Sequence, residues 1–83
     1  MAGRSMELEI ISPEKSIFKG LVSKVLLPGG KAPFTVLYNH APAITTLCGG
    51  EIVWSSNAEE HRVKIKGGFA DVADNRVTAC VEI

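Results

Sequence analysis

Apolar and polar residues alternate with a period of two along most of the chain. Met6, Leu8 and Ile10 alternate with Glu7 and Glu9. Val63 and Ile65 alternate with Arg62, Lys64 and Lys66. Val77, Ala79, Val81 and Ile83 alternate with Arg76, Thr78, Cys80 and Glu82. A strand points successive side chains to opposite faces, so each run predicts a strand with one dry and one wet face. One segment departs from this pattern. Leu21, Val22, Val25, Leu26 and Leu27 put apolar groups on both faces, which predicts a central strand or one whose outer face meets another protein.

Turn-forming residues separate the runs. Ser12-Pro13, Pro28-Gly29-Gly30, Gly49-Gly50, Ser56-Asn57, Gly67-Gly68 and Asp74-Asn75 fall between apolar stretches. Asp74-Asn75 parts two runs by two residues that tolerate positive φ, as a tight hairpin requires. A helix fits poorly. The longest stretch without Gly or Pro is 51–66, and its apolar residues leave the middle of any helical face polar. The chain therefore predicts about eight to ten short strands. They fall near 6–12, 15–19, 21–27, 34–38, 43–47, 51–55, 61–66, 69–73 and 76–82. Closing them into two packed sheets hides most edges.

Composition narrows the class. The chain has 83 residues, 46% hydrophobic and 22% charged, a globular balance for one small domain. Nine basic and nine acidic residues leave a formal net charge of +0. Such a chain has no long-range pull on nucleic acid or anionic lipid, and neutrality favours association. A core this small supplies only about 3–5 kcal/mol, so a staple or a partner is expected. Cys48 and Cys80 are the one covalent staple on offer. Without a signal peptide they read as buried thiols in a reducing compartment. Residues 1–5 read as an extension or an expression remnant, outside the domain at 6–83.

Candidate chemistry is sparse. His40 stands in Tyr38-Asn39-His40-Ala41-Pro42. It reads as a loop contact or a turn-bonding imidazole, since no nucleophile with a base and an orienting group lies near it in sequence. His40, His61, Cys48 and Cys80 lack the close paired spacing of a metal site. Pro28-Gly29-Gly30-Lys31-Ala32 lacks the glycine spacing, the Lys-Ser/Thr and the helix of a phosphate loop. It reads as an exposed loop suited to contacts. The carboxylates form no pair with opposed environments. Phe18, Phe34, Tyr38, Trp54 and Phe69 are too dispersed for a base-stacking platform. Most are expected in the core, with Tyr38 the exposed one. The residues alone thus describe an all-β binding module without catalysis, metal, cofactor or small-molecule substrate.

Several stretches together resemble a known family. They are Glu9-Ile10-Ile11-Ser12-Pro13-Glu14-Lys15, Phe18-Lys19-Gly20, Leu26-Leu27-Pro28-Gly29, and Pro33-Phe34-Thr35-Val36-Leu37 followed by Asn39-His40-Ala41-Pro42. Lys66-Gly67-Gly68-Phe69-Ala70-Asp71-Val72 and Asn75-Arg76-Val77-Thr78 complete the set. In order over residues 6–83 they are similar to the N-terminal domain of the epsilon subunit of F-type ATP synthase. The resemblance implies a β-sandwich of about ten strands in two packed, mostly antiparallel sheets. It also implies a non-catalytic place in the central stalk, between the gamma subunit and the c ring and below the alpha–beta hexamer. There the domain would couple proton flow to ATP synthesis at the cytoplasmic face of a bacterial inner membrane, without entering the bilayer. Carried over by position, Ser12, Asn39, His40, Ala41, Pro42, Ala43 and Thr45 would face gamma. Pro28, Gly29, Gly30, Lys31, Ala32 and Pro33 would form the loop facing the c ring. Two departures stand out. Tyr38 replaces a common proline, so the turn before Asn39 is expected to differ. The chain also stops at Ile83, before the family's C-terminal helical hairpin, so that hairpin's inhibitory and ATP-sensing roles are not expected. The competing expectation is a generic β-sandwich adaptor or ligand-binding module.

Overall fold

The structure, a computed structural model, describes residues 5–83. Of the short lead-in at 1–5, only Ser5 falls within that range. Nine strands follow one another: β1 (Met6–Ile11), β2 (Ser16–Val22), β3 (Lys24–Leu27), β4 (Phe34–Val36), β5 (Ala43–Leu47), β6 (Gly50–Ser56), β7 (Glu59–Ile65), β8 (Gly67–Ala73) and β9 (Arg76–Glu82). They form a five-stranded sheet, β2-β1-β9-β8-β5, and a four-stranded sheet, β4-β3-β6-β7. All pairings are antiparallel except that of β1 with β9. The β-sandwich expected from alternation is present, with nine strands among the described residues.

The alternating residues make the core. Met6, Leu8 and Ile10 of β1, and Val77, Ala79 and Val81 of β9, face inward from the larger sheet. Val25, Leu27, Ile52, Trp54 and Ile65 meet them from the smaller one. No charged or polar side chain is buried among the described residues. The core is therefore held by apolar burial, at about 25 cal/mol per Å². The Trp54 ring lies 4.8 Å from Phe18 and 5.8 Å from His61, centroid to centroid. Through Trp54 of β6 these rings link β2 of one sheet to β7 of the other.

Local differences from the predicted pattern have physical causes. The doubly apolar segment is two strands, broken at Ser23 rather than at Gly20. Gly20 lies inside β2, and the Phe18 ring sits over it, 3.1 Å from where a Cβ would stand. An aromatic ring filling the space of an edge glycine keeps such a residue in a strand. Val22, Val25 and Leu27 point inward, while Leu21 and Leu26 point outward. Gly67-Gly68 lies within β8 and does not precede it. A Cβ on Gly68 would stand 2.1 Å from the Cys80 carbonyl oxygen, and its φ is 146°, so only glycine permits this approach of β8 to β9. Ile83 is exposed, lying just beyond Glu82, where the pairing of β8 with β9 ends. Tyr38 is half-buried against the core, whereas Phe69 is 50% exposed. That reverses the expected exposure of the two. Cys48 is exposed, Cys80 half-buried and both are free, so the expectation of two buried thiols fails. Cys48 follows β5 at a corner, and Cys80 faces outward from β9.

Two tight hairpins use left-handed residues. Asp74 and Asn75 have φ of 53° and 58°, and the flanking Ala73 and Arg76 pair. This is the predicted turn, with residues suited to it. Asn57 and Ala58 connect β6 to β7 in the same way, at 52° and 64°. An L-residue in this region costs roughly 1–2 kcal/mol, and alanine has no side-chain bond to offset it. Ala58→Gly is therefore expected to stabilise the domain by about 1 kcal/mol, a Tm rise of roughly 4–8 °C. Thermal unfolding followed by circular dichroism checks this.

Candidate partner-binding surfaces

The 28–33 loop is fixed at its base and free at its tip. Gly29 N donates to Leu27 O at 2.9 Å, Gly30 N to Thr46 O at 3.1 Å, and Cys48 N to Pro28 O at 2.9 Å. A bridge pairs Gly29 with Leu47. The Cys48 thiol adds weak bonds to the carbonyls of Pro28 and Gly29, each at 3.4 Å. Gly29 is buried, while Gly30, Lys31, Ala32 and Pro33 are exposed. The tip stands beside an open groove of about 680 Å³ whose walls include Lys24, Leu26, Val53 and Arg62. Arg62 is held by Glu51 and Glu60. The Gly29 and Gly30 amides are spent on carbonyls of the protein itself and do not converge on an anion site.

The second set of candidates lies around β5. Asn39 is left-handed, with φ of 66°. Its amide donates to Asn75 Oδ1 at 2.6 Å, and Asn75 Nδ2 donates to Asn39 Oδ1 at 3.2 Å. His40 N donates to Leu37 O at 3.0 Å. His40 Nδ1 lies 2.7 Å from Ala41 O. A carbonyl can only accept, so Nδ1 is the donor in this bond. The imidazole is thus a turn-bonding group, half-buried 6.3 Å from the Phe34 ring. Ala41 and Pro42 are exposed, and Ala43 and Thr45 are half-buried. Thr45 Oγ1 donates to Thr46 O at 3.3 Å.

Ser12 lies elsewhere on the same sheet. Its amide and hydroxyl donate to Lys15 O at 2.9 and 3.2 Å, and Lys15 N donates to its Oγ at 3.3 Å. These bonds close the β1–β2 turn. Ser12 also borders a shallow apolar depression of about 370 Å³ with Phe69 and Cys80. Ser12 and the 39–45 segment therefore do not form one cluster. Ser12 and the 39–42 loop flank the outer face of the five-stranded sheet from opposite ends, whereas Ala43 and Thr45, expected to face gamma, fall on the inward phase of β5 opposite the buried Val72 and Ala70.

Two residues absent from the sequence-derived set lie between them. Ile44 is 78% exposed on β5, and Phe69 is exposed on β8. Ile44 pairs with Asp71 and Thr46 with Phe69, which makes Ile44 and Phe69 diagonal neighbours within side-chain reach. Their signal in the sequence was their register: each falls on the outward phase of its strand. Two large apolar groups together on an outer sheet face mark a contact surface better than either alone.

The ATP synthase delta/epsilon chain β-sandwich domain matches residues 5–83. The chain belongs to this family, the β-sandwich domain of ATP synthase epsilon chains. It is 38% identical over 79 residues to an ATP synthase epsilon chain of Nitratidesulfovibrio vulgaris, covering 95% of this chain and 59% of that one. It is also 38% identical to one of Caulobacter vibrioides, covering 93% of this chain and 90% of that one. The chain thus spans just over half of the Nitratidesulfovibrio relative's length and most of the Caulobacter one's. Among solved structures it is similar to a chain of the Euglena gracilis mitochondrial ATP synthase, in a structure of OSCP, F1 and c ring. The TM-score is 0.87 at 20% identity, covering 93% of this chain and 50% of that one. A chain of the Tetrahymena thermophila mitochondrial enzyme, from its central stalk and c ring, gives 0.78 at 16% identity, covering 94% and 63%. Both likenesses concern the fold.

The bonding at the loop base separates two neighbouring glycines. A Cβ on Gly29 would stand 2.5 Å from the Ala32 carbonyl oxygen, while one on Gly30 would have 3.7 Å to Thr46 O. Gly29→Ala is expected to cost about 1–3 kcal/mol by distorting the loop, and Gly30→Ala less than about 0.5 kcal/mol. Urea unfolding of the two variants measures the difference.

Proposed function

We propose that this domain is a rotor part of an F-type ATP synthase that joins the gamma subunit to the c ring. In that role it couples proton flow to ATP synthesis in the alpha–beta hexamer, and it holds no catalytic site of its own. It would work as a peripheral part of the complex at the cytoplasmic face of a bacterial inner membrane. No helix among the described residues is long and apolar enough to cross a membrane. The reading rests most on one observation. The exposed pair Ile44 and Phe69 lies on the sheet face flanked by Ser12 and by Asn39, His40, Ala41 and Pro42, which family resemblance aims at gamma, while Ala43 and Thr45 of the same set lie on the inward phase of β5. An apolar centre with a polar rim is the usual anatomy of a stable protein contact.

The 28–33 loop is assigned to the c ring. Its tip, Gly30 to Pro33, is exposed, and its base is tied to β5 and Cys48 by backbone bonds. A loop already held in shape loses little freedom on binding. Lys31 at the tip suits carboxylate or carbonyl groups on the partner loops.

Co-elution with purified gamma tests the first contact. Wild-type chain is expected to co-elute, and Ile44→Asp or Phe69→Asp to weaken binding by about tenfold or more, because a carboxylate would be buried without a partner. Failure of the wild-type chain to co-elute would decide against the reading. Shortening the 28–33 loop by its exposed tip tests the second contact. Proton-driven ATP synthesis by membrane vesicles should fall while gamma binding persists, and unchanged synthesis would place the ring contact elsewhere.

A further inference from the structure

We propose that Asn75 is the positioning residue of the 39–42 loop, holding it in the shape that meets gamma. This assignment rests on the gamma-facing reading above. Asn75 lies outside the loop, at the β8–β9 turn, 36 residues from Asn39.

Three demands converge on this one side chain and its backbone. The turn requires φ of 58° at position 75. Asn75 Oδ1 accepts the Asn39 amide at 2.6 Å, and its Nδ2 donates to Asn39 Oδ1 at 3.2 Å. Its own carbonyl accepts the Glu7 amide at 2.9 Å, at the start of β1. Glycine meets the first and third demands and fails the second. Aspartate keeps the acceptor but lacks the Nδ2 that donates to Asn39 Oδ1. Glutamine has the amide on a longer arm and tolerates the left-handed region less well. Asparagine alone meets all three.

The loop transmits this anchor forward. Asn39 is itself left-handed, so its conformation depends on what holds it. The next residue bonds Leu37 O through its amide and Ala41 O through its ring. Ala41 and Pro42 then lead, exposed, into β5 and Ile44. An amide pair across two turns thus sets the direction in which the chain enters its contact strand. Binding gamma with the loop already set avoids the ordering cost that a loose loop incurs.

Asn75→Gly in the full 83-residue chain removes the amide and keeps the turn backbone. Gamma affinity should fall by roughly tenfold, Tm should stay within about 4 °C of wild type, and the Asn39 amide should exchange roughly tenfold faster. A purely structural residue would move Tm with affinity. Unchanged affinity overturns the proposal. If Asn75→Gly does not fold, Asn39→Gly allows the left-handed backbone and removes the side chain whose Oδ1 accepts from Asn75 Nδ2, leaving the amide bond to Asn75 Oδ1, and unchanged affinity there overturns the proposal as well. Where both variants fold, their effects on affinity should be less than additive in the double variant, and full additivity also counts against it. If the wild-type chain does not bind gamma, the gamma-facing reading fails by itself. The positioning claim is then judged by Asn39 amide exchange, and unchanged exchange in Asn75→Gly overturns it.

Discussion

The first strand of the molecule is paired with its last, and most of the sandwich depends on that pairing. β1 lies parallel to β9, with Glu7 opposite Arg76 and Ile11 opposite Cys80. Parallel neighbours need a long connection, and here nearly the whole chain is that connection. The pair occupies the middle of the five-stranded sheet and carries Leu8, Ile10, Val77 and Ala79, all fully buried. Each outer strand joins that sheet through it: β2 through β1, and β5 through β8 and β9. Contacts so distant in sequence form late and at high entropic cost. The bond from Glu7 N to Asn75 O and the exposed Arg76–Glu7 ion pair at 3.0 Å mark where this pairing begins. The backbone bond carries most of the weight, since an exposed ion pair contributes less than about 1 kcal/mol.

Much of this was legible in the sequence. The alternation in β1, β7 and β9 assigned inward faces correctly at Leu8, Ile65 and Val77, because one buried face leaves a period of two. The Asp74-Asn75 turn was readable because few residue pairs accept two positive φ values. What the residues alone do not reveal depends on contacts between distant positions. Gly20 looked like a break until the Phe18 ring was seen to fill its space. Phe69 looked like core, but an aromatic residue on the outward phase of a strand is exposed however apolar it is. Cys48 looked buried by residue type, yet it sits at a corner after β5. The Asn39–Asn75 amide pair joins residues 36 apart that share no local motif. The candidate contact residues came from family resemblance. Their arrangement, with Ile44 and Phe69 between them, came from strand order and register.

The 28–33 loop is bonded at Thr46, Leu47 and Cys48, at one end of β5, and the 39–42 loop enters that strand at Ala43. β5 itself is five residues long, or about 17 Å of extended chain. β5 is therefore a spacer of set length between two gripping points, and its register is also its polarity. A single inserted residue would lengthen it by only about 3.4 Å but would invert its faces. Ile44 would be driven toward the interior, and Thr45 would turn outward in its place. The molecule would keep its outline and its two loops, yet the span between them would no longer present an apolar grip. Tolerance to length change should thus be lower in this short strand than in the loops at either end.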